Sequence, residues 1–225
     1  MKIIAISDTH GDHRDVSPIP DGDVFIYAGD FLNFGQEKTM FMGDVLGDFY
    51  KWIEHLPYDT KILIGGNHDW FLYEEPKRSK ELPCIYLQDA SIEIEGFKIY
   101  GSPWVPHLNG IGSFGINRGD DMAEKWSLIP NDLDILITHS APFELGDTIY
   151  RKKGVVRRSD GSGSAHHVGC KDLINRVKEV EPRLHIFGHI HAASGFDKKV
   201  GNTIFKNVAF NRHDKKVTVI DLERE

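Results

Sequence analysis

Short apolar runs recur along the chain at Ile3 to Ile6, Val24 to Tyr27, Ile62 to Ile64, Ile135 to Ile137 and Leu184 to Phe187. None alternates with polar residues, so each predicts a strand buried on both faces. Between the second and third runs, Val45, Leu46, Phe49, Trp52, Ile53 and Leu56 recur at helical spacing and stop before Pro57, which predicts an amphipathic helix and a β-α-β rhythm. The middle changes character. Ser91-Ile92-Glu93-Ile94-Glu95 alternates, turns at Glu95-Gly96 and continues as Phe97-Lys98-Ile99-Tyr100, the pattern of a hairpin that starts a second sheet. A short helix over Asp121 to Leu128, another carrying Leu173, Ile174, Val177 and Val180 up to Pro182, and closing strands at Ile204 to Phe210 and Val217 to Leu222 complete the order. Two sheets flanked by helices, an α/β fold, accommodate it.

The residues just past each run carry the chemistry. Asp8-Thr9-His10, Gly29-Asp30, Gly66-Asn67-His68-Asp69, Thr138-His139 and Gly188-His189-Ile190-His191 each come directly after a predicted strand. Sites in open α/β sheets form outside the carboxyl ends of strands, so five such ends predict one shared pocket. Asp-x-His alone reads equally as a cap or a surface pair. Gly-Asn-His-Asp says more, because glycine lets the backbone approach a ligand, asparagine offers a neutral carbonyl oxygen and a His-carboxylate pair comes next. Gly-His-x-His offers two imidazoles able to reach neighbouring cations. Together the five segments spell a two-metal phosphoester hydrolase.

Composition bounds this reading. The 225 residues, 40% hydrophobic and 27% charged, suit a single domain spanning 1–225. Met1 to Ile6 is far short of a signal-peptide core, and no run approaches the about 18 apolar residues of a membrane span, so a cytoplasmic protein without membrane partners is expected. Cys84 and Cys170 have no further thiols nearby for zinc and are expected as free thiols. The net charge of −7 argues against a broad nucleic-acid or anionic-membrane surface, not against an anionic substrate. Two divalent cations offset by Asp8, Asp30 and a hydroxide would leave the pocket about +1.

The stretch RKKGVVRRSDGSGSAHH at 151–167 is expected to be a mobile, basic Gly/Ser loop, either a solvated insertion or a lid that draws phosphate toward the metals. Trp104, after the second-sheet strand, reads as a core residue or as a platform for stacking on a base. His13, His55, His107, His166, His167, His185 and His213 are expected at the surface or in packing, with His185 turned away from the site.

The ordered motifs Asp8-x-His10, Gly29-Asp30, Gly66-Asn67-His68-Asp69, His139 and Gly188-His189-x-His191 resemble those of the calcineurin-like metallophosphoesterase superfamily. The stretches GDFLNFG, IYLQD, GFKIYGSPW, KWSLIP, VGC and RLHIFGHIH are similar to its metallophosphoesterase-domain, UPF0046-type branch. The resemblance implies a four-layer αββα sandwich of two mixed sheets and a binuclear phosphodiesterase acting on a small phosphodiester, nucleotide or cyclic-nucleotide substrate. It assigns Asp8, His10, Asp30 and His191 to one metal and Asp30, Asn67, His139 and His189 to the other. Asp30 is the bridge, and a hydroxide between cations about 3.5–4 Å apart is the nucleophile. His68 is the general acid, and Asp69 either holds its ring or caps a local turn. The chain has histidine at 189, where animal members of that branch can carry glycine, so both metal sites are expected complete. Without thiolate ligands the site suits Mn²⁺, Fe, Zn²⁺, Ni²⁺ or Co²⁺, with availability rather than sequence deciding among them, and Mn²⁺ is the ion expected. Alternatives within the superfamily are a phosphomonoesterase or phosphoprotein phosphatase, which usually carries arginine where Gly65 stands, and a small nuclease. A metal-free scaffold would be expected to lose ligands, and none is missing here. Oligomeric state is left open.

Overall fold

The uninterrupted apolar runs become the central strands of two sheets in the computed structural model, which describes residues 1–33, 42–107, 112–152, 155–158 and 164–224. The first sheet has the order β16 (Thr218–Asp221), β1 (Lys2–Ile6), β2 (Val24–Ala28), β3 (Thr60–Ile64), β4 (Ile85–Tyr86), parallel except for β16. The second has the order β14 (Asp197–Val200), β15 (Thr203–Asn207), β13 (Leu184–Phe187), β9 (Ile135–Thr138), β6 (Phe97–Ser102), β5 (Ala90–Ile94), with a parallel centre and antiparallel edges. Register does the positioning. Ile6 pairs with Tyr27, Ala28 with Ile64, and Phe187 with Thr138, so the carboxyl ends of these parallel strands finish level within each sheet. Beyond them a bridge between Ser7 and Ala209, with Ser7 N–H donating to Val208 at 3.1 Å, ties the end of β1 to the chain leaving β15.

Side-chain alternation explains why the runs are apolar throughout. Ile3, Ala5, Ile26, Ile62, Ile135, Ile137, Leu184 and Ile186 form one buried layer between the sheets. Ile4, Ile6, Phe25 and Tyr27 turn the other way, toward Leu46, Phe49 and Ile53 of α1 (Met42–Glu54). On the far side, Leu136, Phe187 and Phe205 meet Met122 and Trp126 of α3 (Asp120–Ser127) and Leu173, Ile174 and Val177 of α4 (Lys171–Val180). The four layers are therefore helix, sheet, sheet, helix. The chain stops α4 with Glu181 in the left-handed region (φ 49°), just before a proline that cannot continue the helix. Among the described residues no helix is long and apolar enough to cross a membrane.

The 151–167 stretch departs from the loop expected of it. Its described parts belong to a three-stranded ribbon of β11 (Val155–Arg158), β10 (Thr148–Lys152) and β12 (Ser164–His167), in that order. Cross-strand pairing starts upstream at Thr148, outside the segment that composition singles out. Residues 153–154 and 159–163, which hold most of the Gly/Ser core, lie outside the described residues. A small parallel pair, β7 (Val105–Pro106) with β8 (Gly115–Ile116), and a short helix α2 (Trp70–Glu74) also lack a periodic signal. Both cysteines are free; Cys170 is buried and accepts the Trp126 indole N–H at 3.3 Å.

Candidate metal centre

At the strand ends the backbone bends sharply. Asp8, His10, Asp30 and His189 all have left-handed φ, at 59°, 49°, 59° and 68°. In non-glycine residues this conformation carries steric strain and persists only where surroundings fix it. Here it swings four side chains out of the strand direction and toward one point. Gly66 is needed for the approach, since a Cβ there would lie 2.5 Å from the Asp30 amide nitrogen and 2.8 Å from the His139 ring. A Cβ on Gly188 would run into the Ser7 hydroxyl and the Asp8 carboxylate.

All seven expected ligands converge. Asp8, His10 and His191 form one group of close ligand atoms, Asp30, His139 and His189 form another, and Asp30 also joins His10 and His68 in a third. Asn67 enters through its Oδ1, 3.1 Å from His139 Nε2. The donor set fits divalent cations on geometry. The Nε2 atoms of His10 and His191 are 3.0 Å apart, about the separation of two nitrogens bound at right angles to one ion at roughly 2.1 Å. The outer nitrogens are fixed: His10 Nδ1 donates to the Leu32 carbonyl at 3.0 Å and His139 Nδ1 to the Ala28 carbonyl at 2.8 Å, which aims both Nε2 lone pairs inward. The centre is layered by exposure. Asp8, Asp30 and His139 are buried, His68 and His10 are partly covered, and the His191 side chain is 46% exposed, so one side is open to a substrate.

Electrostatics point the same way. Burial raises the Asp30 pKa, but His139, then His68 and His10, outweigh it and hold the carboxyl well below the usual range. Burial opposes the charged form of His139, yet the adjacent Asp30 carboxylate, 3.2 Å from Nε2, lifts it to about 10. With Nδ1 on a carbonyl and Nε2 facing two oxygens, the His139 ring needs either a proton or a cation at Nε2. Burial pulls the pKa of His68 and His191 down.

Other residues are distributed unevenly. His68 stands at the rim, its Nε2 3.8 Å from Asp30 Oδ2 and its backbone N–H donating to Asp30 Oδ1 at 2.8 Å. Asp69, expected to serve the His68 ring or a turn, accepts the backbone N–H groups of Asp30, Gly66 and Leu32 at 2.8, 2.8 and 3.2 Å. Its carboxylate braces two ligand loops against each other, a positioning role. Trp104 is 9% exposed, donates its indole N–H to Asp89 at 2.7 Å and carries the Lys125 ammonium 4.2 Å from its ring centroid. Packing, not an open stacking face, describes its surroundings. His185 is buried in the helix-facing layer, and His13 is buried with Nε2 2.9 Å from Asp48. Tyr27 was missed by sequence reasoning: its hydroxyl meets the Thr9 hydroxyl at 2.5 Å and the Thr9 N–H at 3.2 Å, gripping the residue between two ligands. The available signal was a lone hydroxyl in the buried run VFIYA.

Known proteins resemble this chain. A family model described as calcineurin-like phosphoesterase matches residues 1–193. The chain is 38% identical over 220 residues to metallophosphoesterase domain-containing protein 1 of Homo sapiens, an overlap of 86% of this chain and 61% of that one, so it spans about three-fifths of that relative's length. It is 36% identical over 232 residues to a UPF0046 protein of Caenorhabditis elegans, covering 95% of this chain and 76% of the relative. A solved structure at 17% identity superposes with a TM-score of 0.64 over 99% of both chains, which speaks for the fold. By its ordered motifs, its mixed double sheet and the family match, the chain belongs to the calcineurin-like phosphoesterase family.

Proposed function

We propose that this protein is a binuclear, metal-dependent phosphodiesterase acting on small diesters of nucleotide or cyclic-nucleotide type, with Mn²⁺ as its preferred ion. The observation that carries the reading is Asp30: one buried carboxylate shared between a group containing His10 and a group containing His139 and His189. Asp8, His10 and His191 would complete one metal's ligands, and Asn67, His139 and His189 the other's. Two divalent ions held there would activate water near neutral pH and offset charge growing on the phosphoryl group.

The chain's own residues supply the rest. Water adds to phosphorus, the ester P–O bond breaks, and the leaving oxygen takes a proton from His68 at the open rim. Burial lowers the His68 pKa, and the nearby Asp30 carboxylate opposes that shift and favours the protonated ring that the acid role needs. Preference for diesters is supported by Gly65. A Cβ there would lie 2.7 Å from the Phe114 ring and 3.3 Å from the Tyr86 hydroxyl, so the arginine expected of a phosphoprotein phosphatase has no room. A monoester's additional charge would then lack that partner.

A panel of bis-p-nitrophenyl phosphate, p-nitrophenyl phosphate and 2′,3′- and 3′,5′-cyclic nucleotides, each assayed with Mn²⁺, tests this. Diesters are expected to turn over faster than monoesters. A monoester preference would move the protein to the phosphatase side of the family.

A further inference from the structure

The Gly188-His189-Ile190-His191 segment is under strain. Ile190 N–H donates to the Gly188 carbonyl at 2.8 Å, closing a three-residue turn with His189 at φ 68°, and His191 starts a 3-10 turn directly afterwards. Such a turn persists only if its neighbours hold it. The His189 N–H is held by Asp8 at 2.9 and 3.1 Å, but Asp8 is itself in the ligand set. A second side-chain hold is Asn207, the last residue of β15, buried at 1% exposure. Its Nδ2 donates to the Ile190 carbonyl and to the Gly146 carbonyl, both at 3.1 Å, while its Oδ1 accepts the Ala209 N–H at 2.9 Å. A flipped amide would set its oxygen against two carbonyls and its NH₂ against an N–H, so the orientation is fixed.

We infer that Asn207 is a positioning residue for both metals: its amide presets the turn that carries His189 and His191 before any cation binds. Ile190 lies between the two histidines, one assigned to each ion, so a single amide acts on both halves of the centre. This deepens the proposed function and rests on it. The role differs from packing, because a polar group of the same shape with the wrong hydrogens should fail.

The test is Asn207→Asp, which keeps an acceptor for Ala209 and removes both donors. Each chain is stripped of metal, and Co²⁺ is titrated while the visible d–d bands are recorded. Leu222→Ala, a cut in the buried layer between the sheets, serves as the destabilised control. Asn207→Asp is expected to bind Co²⁺ about 10–100-fold more weakly with altered bands, the usual cost of losing an outer-shell partner. Leu222→Ala is expected to keep wild-type affinity and bands. Amide exchange on the stripped wild-type chain gives a measurement independent of the variant's folding: the His189 and Ile190 N–H groups are expected to be protected without metal. Wild-type Co²⁺ binding by Asn207→Asp, equal weakening in Leu222→Ala, or free exchange at those two amides would overturn the assignment. A wild-type chain that takes up no divalent ion would overturn the proposed function along with it.

Discussion

His139 and His185 are both fully buried, on neighbouring strands of the second sheet, yet one belongs to the strand-end cluster and the other to the helix-facing layer. His139, at the end of β9, faces the Ala28 carbonyl, Asn67 Oδ1 and Asp30 Oδ2. His185, within β13, faces the rings of Phe187 and Phe205, at 5.1 and 5.6 Å between centroids, and has Thr138 Oγ1 at 2.8 Å from its Nε2. Equal burial gives opposite results. The carboxylate beside His139 overrides burial and lifts its pKa to about 10, whereas burial alone takes His185 down to about 3. One region is built around a positive charge that must be present, as proton or cation. The other excludes charge. The strand ends carry function because they gather carboxylates where the sheets no longer require apolar side chains.

The largest expected effect comes from removing what makes the regions differ. Asp30→Ala is expected to lower turnover by at least about 10³-fold, several kcal/mol of transition-state stabilisation, and to lose metal by elemental analysis. It should also bring His139 back toward an ordinary pKa, read by NMR in the stripped chain. Retention of two ions would show that Asp30 is not shared.

His68→Ala comes next. If His68 gives its proton to the leaving oxygen, the rate on nucleotide diesters should fall by roughly 10²–10⁴-fold. A p-nitrophenolate leaving group hardly needs that proton, so the loss there should be smaller and metal content unchanged. Equal losses on both substrates would assign His68 to phosphate binding instead.

The pH dependence should have opposite signs in the two regions. His185 is neutral in the folded state with a depressed pKa, so the unfolded chain binds its proton more readily between about 6.5 and 3, and stability falls as pH drops through that window. By pH 4.5 this amounts to roughly 2–3 kcal/mol. Urea unfolding at pH 7 and 4.5 should show that much less acid sensitivity in His185→Leu; an unchanged difference would mean that His185 does not carry it. His139 in the metal-free chain works the other way. Its raised pKa contributes stability fully present below 6.5 and lost as pH rises through about 10, and a bound cation should replace that proton.

The smallest effect is expected at Trp104→Phe, where loss of the N–H to Asp89 should cost about 1.5 kcal/mol without metal loss. A fall in metal content would extend the site to that residue.

Legibility from sequence divides along the same line. Runs buried on both faces announced the central strands, and the residues after them announced the side chains that converge at the strand ends, because strand ends and strand interiors demand different chemistry. Edge strand β14, Asp-Lys-Lys-Val with every residue exposed, has no apolar face to announce it. The β10–β12 ribbon was hidden by the glycine- and serine-rich composition of its connections. At Asp69 the sequence left two roles open, and its carboxylate takes up the local turn through Gly66 N–H while also reaching the backbone of Asp30 and Leu32, which no local pattern announces. Asn207 carries no motif, and only the positions of the Ile190 and Gly146 carbonyls give it meaning.

The central claim is that the charge-gathering region is a dinuclear hydrolytic centre. Titrating Mn²⁺ into exhaustively stripped protein while tracking bis-p-nitrophenyl phosphate hydrolysis tests it most directly. Activity should be absent without metal, rise with added ion and reach a plateau at two equivalents per chain. Full activity in the stripped protein, or a plateau at one equivalent, would contradict the account.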